Sequence, residues 1–184
     1  MSHDIFISYS KNDKNVADAI CHYLEENRMK CWIAPRDVRA GTNYGSEIVN
    51  SIRKCKIFIL VFSSNANNSE HVSNEVNIAF ESSNVIIPYR IENVVLNETM
   101  TYYLNSKHWI DSYPNPESKF ELLKNQIRNF LPDAQEPETK ATQDKKEEPK
   151  KVEVEEKSFF FCIGCGKKVP ASDKFCIHCG TAIK

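Results

Sequence analysis

Four cysteines in two close pairs, Cys162-x-x-Cys165 and Cys176-x-x-Cys179 with ten residues between the pairs, state the most specific chemistry in this chain. Four thiolates spaced this way suit tetrahedral Zn2+, because a two-residue gap lets a tight turn aim both sulfurs at one ion. Gly164, Gly166 and Gly180 flank the pairs and supply the backbone freedom such turns need. Two structural disulfides, or four unlinked thiols, are the alternative. A closed four-sulfur site leaves no open position for catalysis, so the expected zinc is structural. The tail has too few apolar residues to fold on a core, so metal must supply most of its stability. His178 lies inside the second knuckle and is a spare donor. Any reaction must be carried by residues upstream.

Upstream, two common catalytic signatures are missing. No G-x-S-x-G elbow is present for Ser-His-Asp chemistry, and no G-x-x-x-x-G-K-[ST] loop for nucleotide hydrolysis. His3, His22 and His108 show no metal spacing. Of the seven cysteines, Cys21, Cys31 and Cys55 remain outside the metal set, in apolar surroundings that suit reduced core thiols. With no signal-peptide pattern and no apolar run near the roughly eighteen residues of a membrane span, a cytoplasmic location without membrane contact is expected. The net charge of −1 points to no polyanionic partner. Nucleic acid is not an expected ligand, since Phe159-Phe160-Phe161 and a few lysines are explained by aromatics packing over the metal knuckle.

The elements that position these residues follow from composition and periodicity. Residues 132–157 are almost all Glu, Lys, Asp, Pro, Gln and Thr, a composition that describes a charged, flexible tether. It separates a first domain, residues 1–131, from a small metal module, residues 158–184. Within the first domain, Ile5-Phe6-Ile7, Cys31-Trp32-Ile33-Ala34, Ile57 to Phe62, Val85-Ile86-Ile87 and Trp109-Ile110 are continuous apolar runs. Such runs mark strands covered on both faces of a parallel sheet. Between them lie helical stripes: Val16, Ile20, Tyr23 and Leu24; Tyr44, Ile48 and Ile52; Val72, Val76, Ala79 and Phe80; Phe120, Leu123, Ile127 and Phe130. A short helix is placed within residues 96–104. Strand and helix alternating about five times predict an open α/β sandwich.

Asp4-Ile5-Phe6-Ile7-Ser8-Tyr9-Ser10 followed by Asp13, the stretch Cys31 to Gly41, Ile57 to Ser63, and His108-Trp109-Ile110-Asp111 together resemble a TIR (Toll/interleukin receptor) domain over nearly all of residues 1–131. The resemblance implies a flavodoxin-like fold: five parallel strands ordered 2-1-3-4-5 with helices on both faces. Ligands of such sheets bind beyond the carboxyl ends of strands at the topological switch point, here between the first and third strands. The loops beginning at Ser8 and Ser63 are therefore expected to flank the site.

Some TIR domains cleave nicotinamide from NAD+ with one glutamate on the helix after the third strand; others act as scaffolds through homotypic contacts. The matching stretch here is His71-Val72-Ser73-Asn74-Glu75, which by resemblance makes Glu75 the catalytic candidate and puts His71 where the family usually has Trp. Read from the residues alone, Glu75 is equally a first-turn acid favoured by the helix dipole. One carboxylate suffices for this reaction, because nicotinamide leaves a cationic pyridinium as a neutral molecule and needs no general acid. Ser8, Tyr9 and Ser10 lead into a helix and suit ribose or phosphate, with N-capping by Ser10 or Asp13 the plainer alternative. Arg36 and Arg39 lie on a Gly41-ended loop; they either clamp a diphosphate or pair with acids of a second protomer, and an exposed loop with surface charges is the bland reading. Trp32 and Trp109 are expected in the core or pocket wall. The resemblance implies a prokaryote-like NAD+ glycohydrolase or cyclase, active on self-association, in defence or signalling. A zinc ribbon would take an unidentified protein or ligand, and the alternative is a non-enzymatic TIR scaffold.

Overall fold

The computed structural model of the chain describes residues 3–131, 159–162, 168–170, 175–176, 179 and 181–182. The expected tether, Cys165 and His178 lie outside these residues.

Five parallel strands form one sheet in the order β2-β1-β3-β4-β5. They are β1 (Ile5–Ser8), β2 (Cys31–Ile33), β3 (Ile57–Phe62), β4 (Val85–Arg90) and β5 (Ile110–Asp111). Each apolar run is a strand, and β3, central in the sheet, is buried along its whole length. The register is continuous: Ile5 pairs with Cys31 on one side and with Ile57 on the other, and Ile57 pairs with Val85.

Strand alternation divides the core into two layers. Ile5, Ile7, Ile57, Ile59 and Val61 face α1 (Lys14–Glu26) and α6 (Phe120–Phe130). Phe6, Phe58, Leu60 and Phe62 face the other way, toward α2 (Tyr44–Lys54), α4 (Glu70–Glu81) and α5 (Glu98–Leu104). Phe6 stacks between Trp32 and Phe58, with ring centroids 4.9 and 5.5 Å away, which places Trp32 in the core. Each such side chain contributes on the order of 1.5–3 kcal/mol by leaving water. Polar side chains start the helices that the site needs. Ser63 caps the short α3 (Ser64–Asn67) by accepting from the Ala66 N–H, and Ser69 caps α4 by accepting from the Val72 N–H.

The helical stripes are buried except at their ends. Tyr44, Phe80 and Phe130 are 53%, 44% and 49% exposed, respectively, and each is the first, last or next-to-last residue of its helix. Two antiparallel strands, β6 (Phe159–Phe161) and β7 (Lys168–Pro170), begin the C-terminal module, and an isolated bridge joins Phe175 to Ala182. The expectation that Phe159-Phe160-Phe161 packs over the metal knuckle is corrected at Phe161. Its ring is buried against the first domain, beside Tyr23 of α1 and Phe120 of α6.

Candidate functional site

The carboxyl ends of β1 and β3 meet where the strand order reverses, and polar side chains gather there. Ser8 ends β1, is buried, and donates its hydroxyl to Glu75 Oε2 at 2.6 Å. Glu75 reaches this point from α4. Because Ser69 starts that helix and Glu70 is its first-turn acid, Glu75 lies in the second turn. The reading of Glu75 as a first-turn acid held by the helix dipole is thereby corrected, since the dipole effect fades beyond the first turn.

Glu75 is partly exposed, so a ligand can reach it, yet its carboxyl sits in a recess crowded by protein. Desolvation pushes its pKa up to about 7, against a smaller downward pull from the Ser8 hydrogen bond. Among the described residues Oε1 accepts no hydrogen bond, so one oxygen is oriented by Ser8 and the other is left for a ligand. Tyr9 stands beside this pair. Its hydroxyl donates to the Ala34 carbonyl, and burial, reinforced by Asp18, Tyr44 and Glu75, raises its pKa to about 12. It therefore stays neutral and ties the end of β1 to the start of the loop after β2.

A second network, missed by the sequence reading as a unit, braces the same corner. Asp13 is buried and accepts from Ser63 Oγ at 2.6 Å and from Asn65 Nδ2 at 3.2 Å. Asp13 occupies the N-cap position of α1 without making a side-chain cap bond, so its carboxylate is spent on crosslinking the two switch-point loops. Ser10 is half-buried and its carbonyl accepts from the Asp13 N–H. Only the placement of the Ser8 and Ser63 loops at the switch point signalled this network beforehand.

The remaining candidates are not gathered around Glu75 by hydrogen bonds. His71 is exposed, one helical turn before Glu75. Arg36 forks onto Glu25, at 2.7 and 2.9 Å, and onto Asp37, while Asp37 accepts from the Ile33 N–H. Arg39 pairs with Glu47 at 2.6 Å, with most of its side chain in solvent. The loop thus neutralises its own charges within the chain, and Gly41 turns at φ +81. Trp109 packs partly buried against the second core layer, edge-on to Phe62, with the Arg90 guanidinium 4.3 Å from its ring centroid. An open polar cleft lies between α3, α4 and α5, lined by Asn67, Ser69, Ser73, Asn74 and Asn97; Glu75 is not among its walls.

In the C-terminal module, the sulfurs of Cys162, Cys176 and Cys179 lie within 4.8 Å of one another, with Cys162 and Cys179 3.6 Å apart. Sulfurs on a tetrahedron with bonds of about 2.3 Å are separated by roughly 3.8 Å, so the donor set and its spacing fit zinc. A disulfide is far shorter, near 2.05 Å, and does not fit that separation. Cys21, Cys31 and Cys55 are buried free thiols, as expected. No helix among the described residues is long and apolar enough to cross a membrane.

Comparison with known proteins agrees with this geometry. The TIR domain family model matches residues 5–124, and the zinc-ribbon domain model matches residues 161–183. No curated protein matches the chain by sequence. Among solved structures, the TIR domain of the Toll-related receptor TRR-2 from Hydra magnipapillata superposes with a TM-score of 0.59 at 21% identity, over 70% of this chain and 98% of that one. The TIR domains of the activated Roq1 resistosome, which recognises the effector XopQ, give 0.60 at 16% identity, over 68% and 99%. A 2-deoxyribosyltransferase from Bacillus psychrosaccharolyticus gives 0.51 at 11% identity, over 66% and 90%. At these identities the likeness concerns the fold.

Proposed function

We propose, given that the chain belongs to the TIR domain family, that its first domain cleaves the nicotinamide–ribose bond of NAD+, with Glu75 as the catalytic carboxylate. The observation that carries this reading is the Ser8–Glu75 pair: one partly exposed carboxyl, oriented through one oxygen and desolvated by burial, at the switch point. Buried carboxyls with strongly raised pKa values cost stability and concentrate at functional sites.

The chemistry needs little else. As the C1′–N1 bond breaks, its electron pair stays on the ring nitrogen and neutralises the pyridinium. Positive charge grows on the ribose C1′ and ring oxygen. Ionised Glu75 stabilises that charge through Oε1, and the attraction becomes stronger than it is in water once the recess is closed to solvent. Water then adds to C1′ and releases a proton, giving ADP-ribose; attack by the adenine ring of the same molecule gives the cyclic product instead. Ser8 positions the carboxylate, and Tyr9 and Ser10 line the approach to ribose and phosphate. His71 offers an exposed ring for stacking, with less surface than the usual Trp.

A recess this open admits water. Closure by a second copy over the loop between β2 and α2 would exclude it, so activity is tied to self-association. Arg39, exposed and paired with Glu47 at the surface, is the guanidinium that could exchange its partner for one on a neighbour, because Arg36 is anchored to both Glu25 and Asp37. In defence or signalling, concentration of the chain would then act as the trigger.

Nicotinamide release by concentrated, pure full-length protein tests the reading. Activity is expected to rise steeply with protein concentration and to vanish in Glu75→Gln. Wild-type activity in that variant would overturn the assignment. A concentrated wild-type protein that releases no nicotinamide would leave the TIR scaffold, acting through homotypic contacts alone.

A further inference from the structure

Phe161 is the last residue of β6 and the immediate neighbour of Cys162. It is 6% exposed, and what covers it is the first domain. Its ring meets Tyr23 edge-on at 5.1 Å and His22 at 5.7 Å, both on α1, and lies 6.3 Å from Phe120 on α6. The receiving side is built to hold still. Tyr23 donates its hydroxyl to Glu121 Oε2 at 2.5 Å, and the Lys124 amine lies 5.9 Å from the Tyr23 ring. Aromatic edge contacts of this kind add about 0.5–1.5 kcal/mol beyond area burial.

Adjacent residues of an extended chain point to opposite sides. Phe161 faces α1 and α6, while Cys162 faces away, buried with Val169 and Cys176 in the module's own small core. One peptide unit therefore joins the docking anchor to a zinc ligand. Among the described residues that core is three side chains, too little to hold β6 in shape without metal, and a β6 without shape cannot present Phe161 as a rigid knob.

We propose that the zinc ribbon docks in cis on the α1–α6 face with Phe161 as its anchor, and that metal binding and docking are energetically coupled. The zinc-loaded ribbon covers the Tyr23–Phe120 patch; loss of zinc uncovers it. Residues 132–158 have a contour of roughly 90 Å at about 3.3 Å per residue, ample to return the chain to a face of its own domain. Docking in cis is intramolecular and therefore independent of concentration. This inference stands whether or not Glu75 cleaves NAD+.

The coupling makes a residue in the first domain govern metal retention in the second. Full-length protein loaded with one equivalent of Zn2+ is titrated with a competing chelator, alongside Phe161→Ala and Tyr23→Ala. Both variants keep all zinc ligands. Each is expected to lose zinc affinity by about tenfold, the scale of one buried aromatic contact. Hydrogen exchange on the same samples should show α1 and α6 losing protection on zinc removal and in Phe161→Ala, with β3 and β4 unchanged. Zinc affinity equal to wild type in both variants would overturn the proposal. So would an effect that disappears on dilution, which would mark docking onto another chain. If Phe161→Ala fails to fold, Tyr23→Ala decides the matter alone, since it lies outside the ribbon.

Discussion

The two halves of this molecule hold themselves together by opposite means. In the first domain, β3 alone buries six consecutive apolar residues, alternately feeding two core layers beneath α1/α6 and α2/α4/α5. In the C-terminal module, the buried cluster among the described residues is Cys162, Val169 and Cys176. Two of these three belong to the cysteine cluster whose spacing fits a metal ion. If the first domain is stabilised by apolar area and the second by zinc coordination, perturbations should separate them cleanly, except where Phe161 bridges them.

Metal removal is the largest expected effect. Structural zinc in small modules contributes roughly 10–16 kcal/mol, so a chelator, or Cys176→Ser, should unfold the ribbon outright. In amide NMR spectra the ribbon resonances should collapse while those of residues 3–131 stay dispersed, with shifts confined to α1 and α6. Unfolding of the first domain on chelation would break the comparison. The converse experiment is Phe58→Ala in β3. Phe58 is fully buried, and its loss should cost about 3–5 kcal/mol of the first domain's stability. Zinc stoichiometry should remain one per chain.

Those contrasts were largely legible in the sequence. Continuous apolar runs marked the strands because a doubly covered parallel strand needs no polar face, and paired cysteines marked the zinc-ribbon module because little else uses that spacing. Side-chain partnerships across long separations were not legible. Nothing local ties Asp13 to Ser63 or Tyr23 to Phe161; the fold alone brings them together. Arg36 illustrates the same limit: a cation on a Gly-ended loop looks available for phosphate until Glu25, on the preceding helix, is found to hold it. Periodicity also overran at helix ends, where Tyr44, Phe80 and Phe130 continue a stripe that the sheet no longer covers.

Within the first domain the comparison shifts to core against site, and Glu75 should behave unlike any core residue. Its folded pKa is raised from 4.5 to about 7, so the folded state favours the protonated acid. Below pH 4.5 folding is unaffected by this group. As pH rises through the window from 4.5 to 7 the native state must give up its proton against desolvation, and stability falls by up to roughly 3 kcal/mol at 1.36 kcal/mol per pH unit. Glu75→Gln carries no charge to desolvate. It should therefore be as stable as wild type at pH 4 and more stable at pH 8, by thermal or urea melts. Loss of stability at pH 8 would mean that the ionised carboxylate is a structural partner and not a poised functional group.

The smallest expected effect separates the carboxylate from the hydroxyl that positions it. The Ser8 hydroxyl donates to Glu75 Oε2 and favours the ionised form, partly opposing the upward push of burial. In Ser8→Ala that opposition is gone, while the burial remains. A hydrogen bond to a charged group is worth about 1.5–3 kcal/mol, and a water entering the space left by the hydroxyl recovers part of it, so the Glu75 pKa should rise by about one pH unit. If ionised Glu75 is the active form, the alkaline side of the profile is where Ser8→Ala recovers. Nicotinamide release should be strongly reduced at pH 7 and approach wild type near pH 9. The midpoint of the rising limb should move up, in agreement with the carboxyl pKa followed directly by NMR. A uniform loss at every pH, with the midpoint in place, would instead assign Ser8 to binding the substrate and leave Glu75 to orient itself.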